Sequence, residues 1–174
     1  MSLVIPEIPA DDPRWTKRGA VYVPAGEGES KWVAGDVYTV KADSARTGGR
    51  FGFVEASVPP GGGPTAHVHN SHGEAFYIVD GTLEFLNGDE TINARSGDFF
   101  YVPPGIRHRF RNKGVHTTKM LFFFSPGGPE ASVQVGDDAI PGKAVPEWTM
   151  ERHMQGFRDS LALDIDTDSL PEKE

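Results

Sequence analysis

The sequence predicts an all-β protein, built as a sandwich or a closed barrel, and three observations lead to that prediction. Glycine and proline are frequent, with 21 and 14 residues among 174, and they favour short strands joined by tight turns. Segments rich in β-forming residues recur at short intervals along the chain. Asn87-Gly88, which lies between two alternating segments, is a strong hairpin signal. The length suits a single domain with one hydrophobic core.

The predicted strands succeed one another through the middle of the chain, at residues 36–41, 51–58, 65–69, 74–79, 82–86, 89–94, 98–102, 107–111 and 118–125. No internal repeat is visible, so one barrel is expected over residues 36–126. Residues 1–35 are expected to form an irregular arm. Residues 127–174 are expected to form an extension with a short helix over 145–157 and an acidic tail. The apolar face of that helix would consist of Met150, Met154 and Phe157.

Composition and charge exclude several classes of function. The net charge is −8, and residues 127–174 hold eleven acidic but only four basic residues. An acidic chain repels phosphate backbones, which argues against nucleic-acid binding. No apolar run approaches the roughly 20 residues that cross a bilayer, and the first residues lack the pattern of a secretory signal. A cytoplasmic location is therefore expected.

Histidines are concentrated in one short segment. His67 and His69 are alternate residues of a predicted strand, so their side chains share a face. Glu74 opens the next strand and can face back towards them, and His108 joins them only if the fold returns there. The chain has no cysteine, so a metal site must use such ligands. Three imidazoles and one carboxylate suit one divalent transition metal ion, namely Fe, Mn, Ni, Cu or Zn.

The spacing of ten residues resembles the two sequence motifs of the cupin superfamily. Gly61, His67, His69, Glu74 and Gly81 match the first motif, and Gly97, Pro103, Gly105, His108 and Asn112 match the second. This resemblance implies a jelly-roll β-barrel whose metal ligands, His67, His69, Glu74 and His108, point into the interior.

Longer phrases are similar to the single-domain, quercetinase-like cupins of bacteria, namely "SVPPGGGPTAHVHNSHGEAFYIVDGTLEF", "SGDFFYVPPGIRHRFRN" and "FFFSPGGPE". In that group the metal commonly binds a flavonol or a related enolisable substrate. The resemblance implies that Glu74 is both a metal ligand and the catalytic proton acceptor.

Aromatic residues are the best indication of the substrate. Phe76 shares its strand face with Glu74, and Phe110 shares its face with His108, so both are expected to line the pocket. Phe53 and Phe122 are further candidates on other strands. No lysine or arginine is expected on the ligand face, which favours an aromatic or apolar substrate over a phosphorylated one.

Three functions remain open at this point. The preferred one is a metal-dependent dioxygenase, with dioxygen as co-substrate. A redox-neutral isomerase or polyketide cyclase is the first alternative, and a non-catalytic barrel that binds small molecules is the second. A homodimer is expected because edges of an incompletely closed barrel are commonly paired or covered.

Overall fold

The computed structural model describes residues 9–149, 151–152, 155–156, 158–159 and 163–167. Twelve strands form two antiparallel sheets in this part of the chain. The strands are β1 (Glu29–Val33), β2 (Asp36–Ala42), β3 (Gly52–Val58), β4 (His67–His69), β5 (Gly73–Asp80), β6 (Thr82–Asn87), β7 (Glu90–Arg95), β8 (Phe99–Val102), β9 (His108–Arg111), β10 (Thr118–Ser125), β11 (Asp137–Asp138) and β12 (Ile165–Thr167).

The larger sheet has the strand order β11-β1-β2-β3-β10-β5-β8, and the smaller has the order β12-β4-β9-β6-β7. Each of the nine strands predicted from the sequence is present, with ends shifted by at most two residues. The predicted all-β jelly-roll class is therefore confirmed. The described strands form two separate hydrogen-bonded sheets rather than one continuous closed barrel.

Two tight hairpins illustrate how local sequence sets the register. The turn near Asn87 has Gly88 and Asp89 as its central residues, and Asn87 pairs with Glu90. Gly88 has a φ of 64°, which glycine tolerates at the first central position of such a turn. The turn between β1 and β2 likewise leaves two residues, and it places Asp36 opposite Val33.

The core lies between the two sheets, because inward-facing residues of both contribute to it. Phe76, Phe122 and Met120 come from the larger sheet, whereas Phe85 and Phe110 come from the smaller one. Rings within this group meet in tilted and edge-to-face contacts, such as Phe76 with Phe85 at 5.0 Å between centroids. Such contacts are the favourable geometry for aromatic pairs.

The segments at either end of the chain differ from their predictions. The predicted arm is not irregular throughout, because Glu29–Val33 forms β1 and a short 3₁₀ turn covers Pro13–Trp15. Residues 145–149 are not helical, and the helical residues described are 151–152, 155–156 and 158–159. The helix therefore begins later than predicted. Its predicted apolar residues Met150, Met154 and Phe157 lie outside the described residues.

Further short elements connect the strands. A helical turn covers Ser44–Thr47, and a 3₁₀ helix covers Pro129–Val135. Glu130, in the latter, is buried and accepts hydrogen bonds from the backbone N–H groups of Ser44 and Gly128. In the part of the chain that the structure describes, no helix is both long and apolar enough to cross a membrane.

Candidate metal centre

Four side chains from three strands converge between the two sheets. His67 and His69 lie on β4 and His108 lies on the neighbouring β9, where it is paired directly with His67. Glu74 lies on β5 of the opposite sheet. One potential ligand atom from each of the four lies within 4.8 Å of the others. The fold therefore brings together all four residues that the spacing singled out.

Backbone carbonyls fix the orientation of two of the imidazoles. Nδ1 of His67 lies 2.9 Å from the carbonyl oxygen of Thr65, and Nδ1 of His108 lies 2.8 Å from that of Ile106. A ring N–H that donates to a carbonyl leaves Nε2 with its lone pair free to bind a metal. Nδ1 of His69 is buried and has no hydrogen-bond partner among the described residues.

Burial and neighbouring groups shift the pKa values at this site. Burial lowers the pKa of His108, but its hydrogen bond and charge interaction with Glu74 outweigh burial and raise it. Burial, together with the neighbouring His108 and His69, lowers the pKa of His67 to about 3. Burial by itself would raise the pKa of Glu74, but hydrogen bonds with His108 and His69 outweigh it and lower this pKa to about 2. Oε2 of Glu74 lies 2.9 Å from Nε2 of His108 and 3.1 Å from Nε2 of His69. The centre thus offers a carboxylate beside imidazole nitrogens, the set that a divalent transition metal prefers.

The donor set and its burial fit a metal ion. His69, Glu74 and His108 are each less than 5% exposed, and a buried charge is normally paired or bound to a metal. His67 is half-buried and, like His69 and Glu74, it lines a cavity. The four residues could hold one ion with coordination positions left for a substrate.

A cavity of about 270 Å³ opens beside the centre, close to the lower end of the usual range for small-molecule sites. Its walls include three of the four candidate ligands, His67, His69 and Glu74, and many apolar side chains. Asp36 and Glu74 are its acidic residues, and no lysine or arginine is among the described residues that line it.

The four phenylalanines predicted for the pocket have different positions. Phe110 and Phe122 line the cavity. Phe76 does not, because it is fully buried behind the site, with its ring 6.4 Å from that of His108. The prediction for Phe53 is wrong: it lies on the opposite face of β3 from Val54, in a separate surface groove. On β3 the even-numbered residues face the core, so Phe53 faces away from it.

Several cavity residues were not predicted. Phe124 lines the cavity and packs its ring 5.5 Å from that of His69. Asp36 and Tyr38 reach the cavity from β2, whose even-numbered residues are buried. Trp148, Ile165 and Thr167 come from the C-terminal extension, for which the sequence carried no comparable signal.

His72 lies close to the centre without joining it. It is half-buried, and its Nδ1 lies 3.2 Å from the hydroxyl oxygen of Ser71. Burial lowers its pKa.

Comparison with known proteins gives several relatives. Over 122 residues, or 70% of the chain, it is 29% identical to quercetin 2,3-dioxygenase of Bacillus subtilis, and the match covers 36% of that protein. Over 95 residues it is 34% identical to the polyketide synthase protein CurC of Streptomyces cyaneus, covering 54% of this chain and 62% of the relative. The chain thus spans less than two thirds of either relative.

Solved structures show the same fold. A predicted oxalate decarboxylase from Thermotoga maritima superposes with a TM-score of 0.58 at 18% identity, covering 60% of this chain and 98% of the other. KdgF from Halomonas superposes with a TM-score of 0.55 at 20% identity, and the match covers 63% of this chain and 94% of KdgF. The family model of the cupin domain matches residues 54–124, a range that contains all four candidate ligands. Residues 54–124 of the chain therefore form a cupin domain.

Proposed function

We propose that this protein is a metal-dependent dioxygenase that acts on a flavonol-like or otherwise enolisable aromatic substrate. The observation that carries the proposal is the position of Glu74, which is buried among three histidines and also lines the cavity. A carboxylate in that place can touch both the metal and a substrate. The similarity to quercetin 2,3-dioxygenase over 70% of the chain supports the choice of reaction.

His67, His69, His108 and Glu74 would hold the ion. When bound, a divalent metal lowers the pKa of a hydroxyl group that it coordinates. Because the pKa of Glu74 is held at about 2 by its histidine neighbours, against the effect of burial, its carboxylate is ionised at neutral pH. A carboxylate with so low a pKa is a weak base, so it could accept the proton of a substrate hydroxyl within hydrogen-bond reach only once a bound metal had made that hydroxyl strongly acidic.

The cavity walls would orient a flat substrate. Phe110, Phe122 and Phe124 are each at most 5% exposed and line the cavity next to the centre. Apolar walls exclude water and hold the deprotonated ring system where dioxygen can react with it. The lack of a lysine or arginine in the described cavity lining disfavours phosphorylated substrates.

Glu74→Gln separates proton transfer from binding. In wild-type protein loaded with metal, we expect oxygen uptake with quercetin. In the variant, turnover should fall by roughly a hundredfold or more, the usual contribution of a general base. Anaerobic titration should show that the variant still binds quercetin if it retains metal. Oxygen uptake at the wild-type rate by the variant would show that Glu74 is not the proton acceptor.

A redox-neutral reaction is the second candidate. The 34% identity to CurC, a protein of polyketide synthesis, favours it over the non-catalytic alternative. The same four ligands would then hold a metal that acts only as a Lewis acid. Turnover that proceeds equally fast without oxygen would support this candidate and contradict the dioxygenase.

We also propose that the protein forms a homodimer in the cytoplasm. Phe99 and Tyr101 of β8 and Tyr77 of β5 are 67%, 54% and 45% exposed, and β8 is an edge strand of the larger sheet. An exposed aromatic patch beside an open edge is a typical place for a second subunit. Light scattering after gel filtration would test this proposal, since a dimer has twice the chain mass of 18.9 kDa.

A further inference from the structure

The C-terminal extension forms one wall of the cavity beside the metal centre. Four of its residues line that cavity, namely Trp148, Gly156, Ile165 and Thr167. All four lie beyond residues 54–124, the range that matches the cupin domain and contains the candidate ligands. A change in this wall can therefore alter the shape of the cavity without altering the ligand set.

Arg152 holds the helical residues of this wall against the rest of the domain. Its Nε and Nη2 atoms each lie 3.2 Å from the carbonyl oxygen of Val135 and donate to it, and its Nη1 donates to the carboxylate of Asp137. The guanidinium carbon also lies 5.4 Å from the ring centre of Trp148, which is within reach of a cation–π contact. These contacts fix the position of the helical residues relative to the cavity.

Gly156 lies on the same side of the helix as Arg152. Both residues are helical and four positions apart, the spacing that places two residues on one helix face. Arg152 binds the carbonyl oxygen of Val135, and a Cβ added at Gly156 would lie 3.7 Å from Cγ2 of the same valine. Val135 and Gly156 are both half-buried, and both line the cavity. A side chain at position 156 would therefore start at the cavity wall.

The described fold does not require glycine at position 156. Its backbone is helical rather than left-handed, so other residues could adopt it. Cγ1 and Cγ2 of Val135, at 3.8 and 3.7 Å, are the only heavy atoms of the described residues outside the helix within 4 Å of the Cβ position, so an alanine side chain fits at ordinary van der Waals distance. Glycine is also one of the poorest helix formers. The consequence of glycine here is the space that it leaves beside the cavity.

We propose that Gly156 sets the size of the ligand that the cavity admits, because its missing side chain leaves room for the part of the ligand beyond the ring that binds the metal. This assignment rests on the proposed enolisable substrate and narrows it to molecules with more than one ring. The cavity of about 270 Å³ has little spare volume, so a larger side chain at position 156 would exclude part of such a molecule. None of the four candidate ligands lies within 4 Å of the Cβ position, so that side chain would meet the ligand rather than the metal.

Two hydroxy-ketones of different size test this assignment. Maltol and 3-hydroxyflavone share the hydroxy-ketone unit that binds metals, but maltol has a single ring whereas 3-hydroxyflavone carries further aromatic rings. Each is titrated without oxygen into wild type, Gly156→Ala and Gly156→Leu, all loaded with Zn²⁺, and the shift of the absorption band of the hydroxy-ketone gives Kd. Gln155→Leu, at the exposed neighbouring position, is the matched control. The zinc content and the Tm of each variant are measured first.

In Gly156→Leu, we expect the Kd for 3-hydroxyflavone to rise roughly tenfold or more, the usual effect of forcing extra carbon atoms into filled space. The Kd for maltol should change less than about twofold, because the smaller ligand does not need that space. Gly156→Ala should show the same selectivity with a smaller rise, and its Tm should equal or exceed that of the wild type because alanine favours the helix. Gln155→Leu should match the wild type in both Kd values.

An equal loss of affinity for both compounds in Gly156→Leu would mean that the substitution disturbs the metal centre, and unchanged affinity for both would mean that the side chain does not reach the ligand. Either result would overturn the assignment. If Gly156→Leu does not fold, Gly156→Ala decides by the same criterion. Wild type that binds maltol but not 3-hydroxyflavone would overturn the assignment alone. Failure of the wild type to bind either compound would overturn the proposed substrate class, and the assignment with it.

Discussion

Asp36 is a buried carboxyl whose titration makes the stability of the protein depend on pH. Its carboxyl is buried and its pKa is raised to about 7 by that burial, in spite of Tyr38 and Arg111. In the unfolded chain the same group titrates near pH 4. The folded protein therefore holds this proton more tightly, and the associated stability is lost as the pH rises from about 4 to about 7.

Asp36→Asn should remove this pH dependence. We expect the Tm of the variant, relative to the wild type, to increase between pH 5 and pH 8, because only the wild type must ionise a buried acid. Each unit of pKa corresponds to about 1.4 kcal/mol, and about two of the roughly three units that separate the folded and unfolded pKa values fall between pH 5 and pH 8, so the difference over this range is on the order of 3 kcal/mol. Thermal denaturation across the pH range measures it. Parallel curves for the two proteins would contradict the raised pKa.

At the residue scale, the sequence was sufficient to find the four candidate ligands but not the cavity wall. His67, His69, Glu74 and His108 could be found because their spacing matches both strand periodicity and the cupin motifs. The prediction for Phe53 was wrong because β3 carries no candidate ligand that would show which of its faces is turned towards the core. Asp36 was missed because a buried acid cannot be told from an exposed one by residue type alone.

At the scale of elements, β12 is a part of the site that the sequence did not predict. This strand pairs with β4 and places Ile165 opposite His69 and Thr167 opposite His67. Ile165 is 4% exposed and lines the cavity. The C-terminal extension therefore supports the strand that carries two of the four candidate ligands.

Ile165→Ala tests this support. Loss of a buried isoleucine typically costs about 2 to 5 kcal/mol, so we expect a lower Tm and weaker metal retention, measured by competition with a chelator. Ile140→Ala is the control, because Ile140 is 49% exposed. If both variants behave like the wild type, β12 does not stabilise the ligand-bearing strand.

The sequence predicted the central strands because each has the alternation or turn signal of an independent hairpin. It did not predict β1, β11 or β12. The last two have only two and three residues, too few for a period to be recognised. β12 also lies in an acidic segment that was expected to be a solvated tail, and only its pairing with the distant β4 fixes it.

At the scale of the whole molecule, the centre depends on both sheets. The histidines belong to the smaller sheet and Glu74 to the larger one, so correct packing of the sheets assembles the site. The space available for side chains is small at Gly81, where an added Cβ would clash with the Thr118 side chain. The four candidate ligands are spread over 42 positions of sequence, from His67 to His108. Pairing between strands that are distant in sequence brings them together.

The metal content of purified protein tests the central claim most directly. Protein prepared without chelators should contain roughly one divalent transition metal ion per chain, as a single mononuclear site requires. His69→Ala should lose nearly all of it, because His69 is a buried member of the ligand set. His116→Ala, at an exposed histidine outside the site, should keep it. Full metal content in His69→Ala would contradict the assignment of the centre.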